Sequence, residues 1–177
     1  MQARSIEVAR RFGVRIHVRS AFHEVPGTWI VPAKEIPMEE AVVSSLALDK
    51  GEVRLSIVEV PDRPGIAADI LARLAERDIP ADMIVQSAPT HAGVNDISFM
   101  TPRSFAATAM AALESLAGEL KATRVDIHEQ VAKVTVVGTG FRRHAKVAAR
   151  VFGVLAKNGI NIQMISTSDL KISCVVD

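Results

Sequence analysis

Aromatic residues are scarce in this chain: one Trp, six Phe and no Tyr make up 4% of 177 residues. With so few rings, stacking against bases or sugars is a disfavoured mode of binding. An excess of charge of one sign is also lacking. The 21 Lys and Arg against 20 Asp and Glu leave a formal net charge of +1, and basic pairs are limited to Arg10-Arg11 and Arg142-Arg143. Neither nucleic acid nor a membrane surface is expected as a partner. The single cysteine, Cys174, excludes an internal disulfide framework and fits a reducing cytosol. No apolar run approaches a membrane span, and no apolar signal segment is expected at the start.

Catalytic signatures are missing as well. There is no GxxxxGKS/T loop and no complete GxGxxG; Gly138-Thr-Gly140 reads as a strand-end turn. His17, His23, His91, His128 and His144 fall in no metal-ligand spacing. No local Ser/His/Asp or Cys/His arrangement occurs. His91, in a glycine-containing loop, reads as exposed rather than as a gate.

Half the residues are hydrophobic (49%), enough to build a core in one or two small domains. The stretch that organises them is 53–87. Residues 53–60 alternate, with Val53, Leu55 and Ile57 on one face, as a half-buried strand does. Pro61-Asp-Arg-Pro-Gly65 then turns the chain. Ile66, Ile70, Leu71 and Leu74 give the following helix an apolar face, and 79–85 returns as a second strand. A helix start offers free N–H groups at 65–67, which favour an anion such as a ligand carboxylate. Asp62 just before it either faces a ligand ammonium, or caps the helix and steadies the turn.

This unit recurs. Met83-Ile84 returns 81 residues on as Met164-Ile165, and the same offset pairs Ile66 with Val147, Ile70 with Val151, Leu74 with Leu155 and Ile79 with Ile160. The intervening loop differs: Asp62 becomes Arg143, and Pro64-Gly65 becomes Ala145-Lys146. The copies share a core and diverge where a ligand would sit.

In chain order, 2–12 reads as a helix closed by Gly13, 14–18 as a short strand, and the proline-rich 21–37 as loop with Trp29-Ile-Val extended. These elements cannot make a core alone and read as the tail of a larger domain, or as a segment that docks onto the rest. A strand within 39–48 is expected to fill the edge of the second sheet. A third strand over 95–100, a helix over 103–117 started by Pro102, and a fourth strand over 123–128 complete a βαββαβ module. The second module has a strand at 133–137, a helix from 143 or 144 to 157, and strands at 161–167 and 171–176. It lacks the expected last helix and strand. The expected fold is α+β: 1–37 as tail and linker, 38–52 as an added strand, 53–131 as the first ferredoxin-like domain, and 132–177 as an incomplete second.

Val60-Pro-Asp-Arg-Pro-Gly65-Ile-Ala with 79–87 resembles the first ACT domain of the aspartate kinase family. Asn161-Ile-Gln-Met-Ile-Ser-Thr-Ser168, followed by Lys171-Ile-Ser, is similar to that family's second ACT domain. Residues 1–30 resemble the end of its kinase domain, and Met38-Glu-Glu-Ala-Val the start region of its separately translated regulatory subunit. The resemblance spans essentially the whole chain. It implies an enzyme that phosphorylates the β-carboxylate of aspartate with ATP, towards lysine, threonine and methionine, in the cytoplasm. The kinase site, with ATP and Mg, would precede Met1, so this chain would hold no cofactor and be inactive alone. It implies feedback by threonine first, or lysine, and a homodimer through ACT domains joined to a catalytic domain or alpha subunit. The implied effector site is Asp62, Pro64, Gly65, Ile66, Ala67 and Gln86, with Ser98 on the third strand, opposed by Asn161 and Ile162. Arg142-Arg143-His144-Ala145, where the family has Pro-Gly, argues against an equivalent second site. The alternative is a free-standing ACT-type amino-acid sensor that acts on another protein; an independent enzyme is disfavoured by the missing catalytic groups.

Overall fold

The computed structural model describes residues 2–32, 35, 43–90, 92–139, 141 and 145–177. The expectations resting on 36–42, His91, Gly140 and Arg142 to His144 lie outside the described residues. The chain divides into two units, 1–43 and 44–177.

In the first unit, α1 (Ala3–Arg11) is followed by β1 (Ile16–Val18) and β2 (Thr28–Ile30). The strands pair antiparallel, and His17 stacks on its register partner Trp29 with ring centroids 4.0 Å apart. Gly27 is required in this hairpin: at φ +75°, a Cβ would lie 2.3 Å from the Val18 carbonyl oxygen.

The second unit holds two four-stranded sheets. One is ordered β5-β6-β4-β7, from β4 (Glu52–Pro61), β5 (Asp82–Gln86), β6 (Val94–Pro102) and β7 (Arg124–His128). All its pairings are antiparallel. Helices α2 (Ile66–Ala75) and α3 (Ala106–Leu120) cover one face. The strand alternation sends Leu55, Ile57, Ile97 and Phe99 towards them, where they meet Ile66, Ile70, Leu74, Ala109, Leu113 and Leu116. The other sheet is ordered β3-β8-β10-β9, from β3 (Val43–Asp49), β8 (Ala132–Gly138), β9 (Ile162–Thr167) and β10 (Lys171–Val176), with α4 (Ala145–Lys157) between β8 and β9. Thus β3 lies beside β8 at the edge of the second sheet, where Ser44 Oγ donates to the Val137 carbonyl.

Met100 points away from Phe99, off the helix-covered face, and joins a second cluster with Met83, Val131, Met164 and Val175. This cluster draws on both sheets. Met83 and Met164, equivalent in the internal repeat, both sit in it. Each sheet also carries a hydroxyl pair between register partners: Ser56 with Ser98 at 2.8 Å, and Thr135 with Ser173 at 3.0 Å.

Several elements differ from the sequence expectation. Leu71 is 37% exposed, because it stands 100° round the helix from Ile70, outside the narrow stripe of Ile66, Ile70 and Leu74. Val154 is likewise 54% exposed, and Leu155 is the buried residue of α4. Pro102 ends β6 with extended backbone instead of opening a helix. A 3-10 turn, Arg103–Phe105, intervenes before α3, which runs through Gly118 and closes on Lys121 at φ +59°. The return strand starts at Asp82, not Ile79: Ile79 is 5% exposed in the core, and Pro80 has no N–H for a ladder.

Candidate functional site

The turn between β4 and α2 forms one wall of an open cleft of about 420 Å³. Its lining is Asp62, Arg63, Pro64, Gly65, Ile66, Ala67 and Gln86. Gly65 takes φ +97° at the N-cap, a conformation that suits glycine, and no side chain caps the helix. The first intrahelical bond runs from Asp69 N–H to the Gly65 carbonyl at 2.9 Å. Ala67 and Ala68 precede it, so their amides stand at a helix start without a capping acceptor. Asp69 itself pairs with Arg63 at 3.3 Å, both partly exposed, which draws one negative charge off the helix mouth.

Asp62 is not a helix cap. Its N–H donates to the Gly93 carbonyl and its Oδ1 accepts from Asn95 Nδ2, each at 2.9 Å. Both bonds tie the turn to the β5–β6 hairpin. Asp62 is exposed, so its carboxylate remains open to a ligand from the cleft side. The arrangement sets a carboxylate and helix-start amides around one small space. A zwitterionic amino acid complements that pattern, with its carboxylate to the amides and its ammonium to Asp62.

Asn95 was not among the sequence candidates. It is 1% exposed, and its Oδ1 is buried without a hydrogen-bond partner among the described residues. A signal for it existed: Asn95 shares strand parity with Ile97 and Phe99, so it is a polar residue on the core-facing side of β6. Gln86, the last residue of β5, reaches the cleft from the strand end.

The remaining candidates lie elsewhere in the chain. Ser98 bonds Ser56 on the sheet face away from α2 and α3. Asn161 is exposed just before β9, and Ile162 opens β9, half-buried and paired with Val176. None of the three lines the cleft within one chain. Among the described residues no cluster of His, Cys, Asp and Glu suits a metal ion, and no helix is long and apolar enough to cross a membrane.

Known proteins share this architecture. The ACT domain family matches residues 134–177. The regulatory subunit of aspartate kinase from Thermus thermophilus, in ligand-free form, is 36% identical with a TM-score of 0.72, covering 76% of this chain and 88% of that one. The chain belongs to the aspartate kinase family, in its regulatory part. A structure of aspartokinase alpha and beta subunits is 41% identical with a TM-score of 0.70 and the same coverage. An aspartate kinase of Stutzerimonas stutzeri is 40% identical over all 177 residues, and the chain spans 43% of that protein's length. The α+β fold of two ACT-type sheets agrees with these relatives.

Proposed function

We propose that this chain is the feedback-regulatory part of an aspartate kinase and binds an end-product amino acid, threonine first and lysine next, in the Asp62–Gln86 cleft. The observation that carries the reading is the cleft itself, in which a turn carboxylate, an uncapped helix start and a strand-end amide converge. The helix-start amide of Ala67 takes the ligand carboxylate, Asp62 its ammonium, and Gln86 the hydroxyl or amine of its side chain. Asn95 holds Asp62 in place. In a homodimer through ACT domains, Asn161 and Ile162 of a second copy close the cleft, and Ser98 supports the sheet behind it. Binding regulates by preferring one arrangement of paired domains over another.

Residues 1–37 are assigned to the tail of a catalytic domain, 38–52 to an added strand, 53–131 to the first ACT domain and 132–177 to the second. Phosphorylation of aspartate by ATP and Mg belongs to that catalytic domain or to an alpha subunit, in the cytoplasm. This chain alone is inactive; turnover of ATP with aspartate by the isolated 177 residues would contradict that. The site itself is tested by Asp62→Ala and Gln86→Ala. Each removes one polar contact to the ligand and weakens threonine binding by about 10-fold or more, with the thermal transition retained. Unchanged affinity in both removes these residues from the site.

A further inference from the structure

The two ACT sheets meet at a largely buried Lys133–Glu52 ion pair, to which the exposed Asp82 adds a second carboxylate. Lys133, on β8 of the second sheet, donates from Nζ to Glu52 Oε1 at 2.7 Å and to Asp82 Oδ2 at 3.0 Å. Glu52 opens β4 and Asp82 opens β5, so both acceptors belong to the first sheet. The Lys133 and Glu52 side chains are 15% and 14% exposed. Glu52 Oε2 is buried and unpartnered among the described residues. The Asp82 side chain is 54% exposed, so the Lys133–Glu52 pair is the largely buried part of the network. A largely buried charge pair with one oxygen unsatisfied is sensitive to small displacements.

Asp82 is held from a second side. Its Oδ1 accepts the backbone N–H of Met83 at 2.8 Å. Met83 has φ +48°, a conformation a long side chain adopts only when its surroundings impose it. The β5–β6 register slips between Asp82 and Val85 at this point. The Met83 side chain is packed with Met164 and Val175 of the second sheet. At the far end of β5, about four residues and about 13 Å away, Gln86 lines the cleft. As an edge strand, β5 pairs with β6 alone, so a shift along its axis disturbs a single ladder.

We propose that β5 is a lever between the cleft and the second ACT sheet, with the Lys133–Asp82–Glu52 ion pair as its latch. A ligand that engages Gln86 shifts β5, and the shift reaches β8 and β9 through Asp82, Met83 and Lys133. The ligand part rests on the amino-acid reading of the cleft. Lys133, Asp82 and Glu52 are positioning residues that touch no ligand.

The test is hydrogen exchange on the full-length protein and its Lys133→Met variant. Without ligand, Lys133→Met should speed exchange about 10-fold at the β5 end, amides 85–87, and Lys133→Arg should restore it. A change confined to the neighbourhood of residues 52, 82 and 133 overturns the lever. With threonine or lysine added, the wild type should respond both at the cleft and in β8–β9. Lys133→Met should keep a cleft response and lose the β8–β9 response; retention of both overturns the proposal. If the wild-type cleft responds to neither amino acid, the ligand reading fails while the ligand-free arm still decides the lever. Should Lys133→Met not fold, E52Q/D82N/K133M, which neutralises all three charges, carries the same readouts.

Discussion

Replacing Gly65 by Ala isolates backbone strain from steric clash. A Cβ built at Gly65 meets no atom within 4 Å, so crowding adds nothing. The whole cost comes from φ +97°, beyond the usual left-handed well of L residues. Holding Ala there costs about 1–2 kcal/mol. For a chain of this size each kcal/mol moves Tm by about 2–4 °C. Gly118 is the matched control: it also faces open space, but it lies inside α3 with no positive φ. There the change to Ala should stabilise by about 0.5–1 kcal/mol. Two substitutions of identical chemistry in equally open surroundings should thus shift the melting transition in opposite directions, separated by about 1.5–3 kcal/mol. Differential scanning calorimetry of the two variants beside the wild type reads this directly. A neutral or stabilising Gly65→Ala, or shifts of the same sign, would mean that Gly65 holds no strained backbone. If the Gly65→Ala variant relieves its strain by moving the helix start, its threonine affinity should fall, while that of Gly118→Ala should stay unchanged.

Other outcomes follow from the packing and the charges. Asn95→Ala removes the donor to Asp62 and should cost about 1–2 kcal/mol of stability in urea titrations, with weaker effector binding in calorimetry. Leu74→Ala, at 1% exposure in the α2 stripe, should cost about 2–5 kcal/mol by the same titration; a loss below about 1 kcal/mol would mean α2 is not packed as described. The Lys133 hydrogen bond holds the Asp82 carboxyl below its ordinary 3.8, against the opposing effect of burial. A lowered folded value contributes stability above 3.8 that is lost as pH falls through the folded value. The gap in urea midpoint between wild type and Asp82→Asn should therefore be full at about pH 6 and shrink below pH 3.8. For Lys133, burial pushes the ammonium down but the bonds to Glu52 and Asp82 outweigh it, so its value is raised above 10.5. That contribution is complete below 10.5 and fades as pH climbs through the raised value. Burial also pushes the Cys174 thiol up, and the residue is 1% exposed. It should resist a thiol reagent in the native state and react only on unfolding.

The strand alternation and the helix stripes placed the elements of the first sheet because burial on one face imposes a period on the sequence. Leu55, Ile57, Ile97 and Phe99 carry that period and do face the helices. The offset of 81 residues found Met83 and Met164 as equivalents but could not place them together between the sheets. That contact depends on tertiary packing, which no local period encodes. The same holds for Lys133, whose partners lie 81 and 51 residues away. Turn chemistry pointed to 62–67, since prolines and a glycine constrain the backbone locally. The role of Asn95 was half-visible, as a polar residue at an inward strand position, but its bond to Asp62 spans 33 residues. The misplaced helix start at Pro102 shows local preference yielding to β6, whose last residue pairs with Glu52.

Isothermal calorimetry of the full-length protein with threonine, then lysine, methionine and isoleucine, alongside its mass in solution, tests whether the cleft takes an end-product amino acid. Saturable threonine binding that stabilises a dimer and is weakened by Asp62→Ala is the expected result. A stable, folded protein that binds none of the four, or binds one with an affinity indifferent to Asp62 and Gln86, would contradict it.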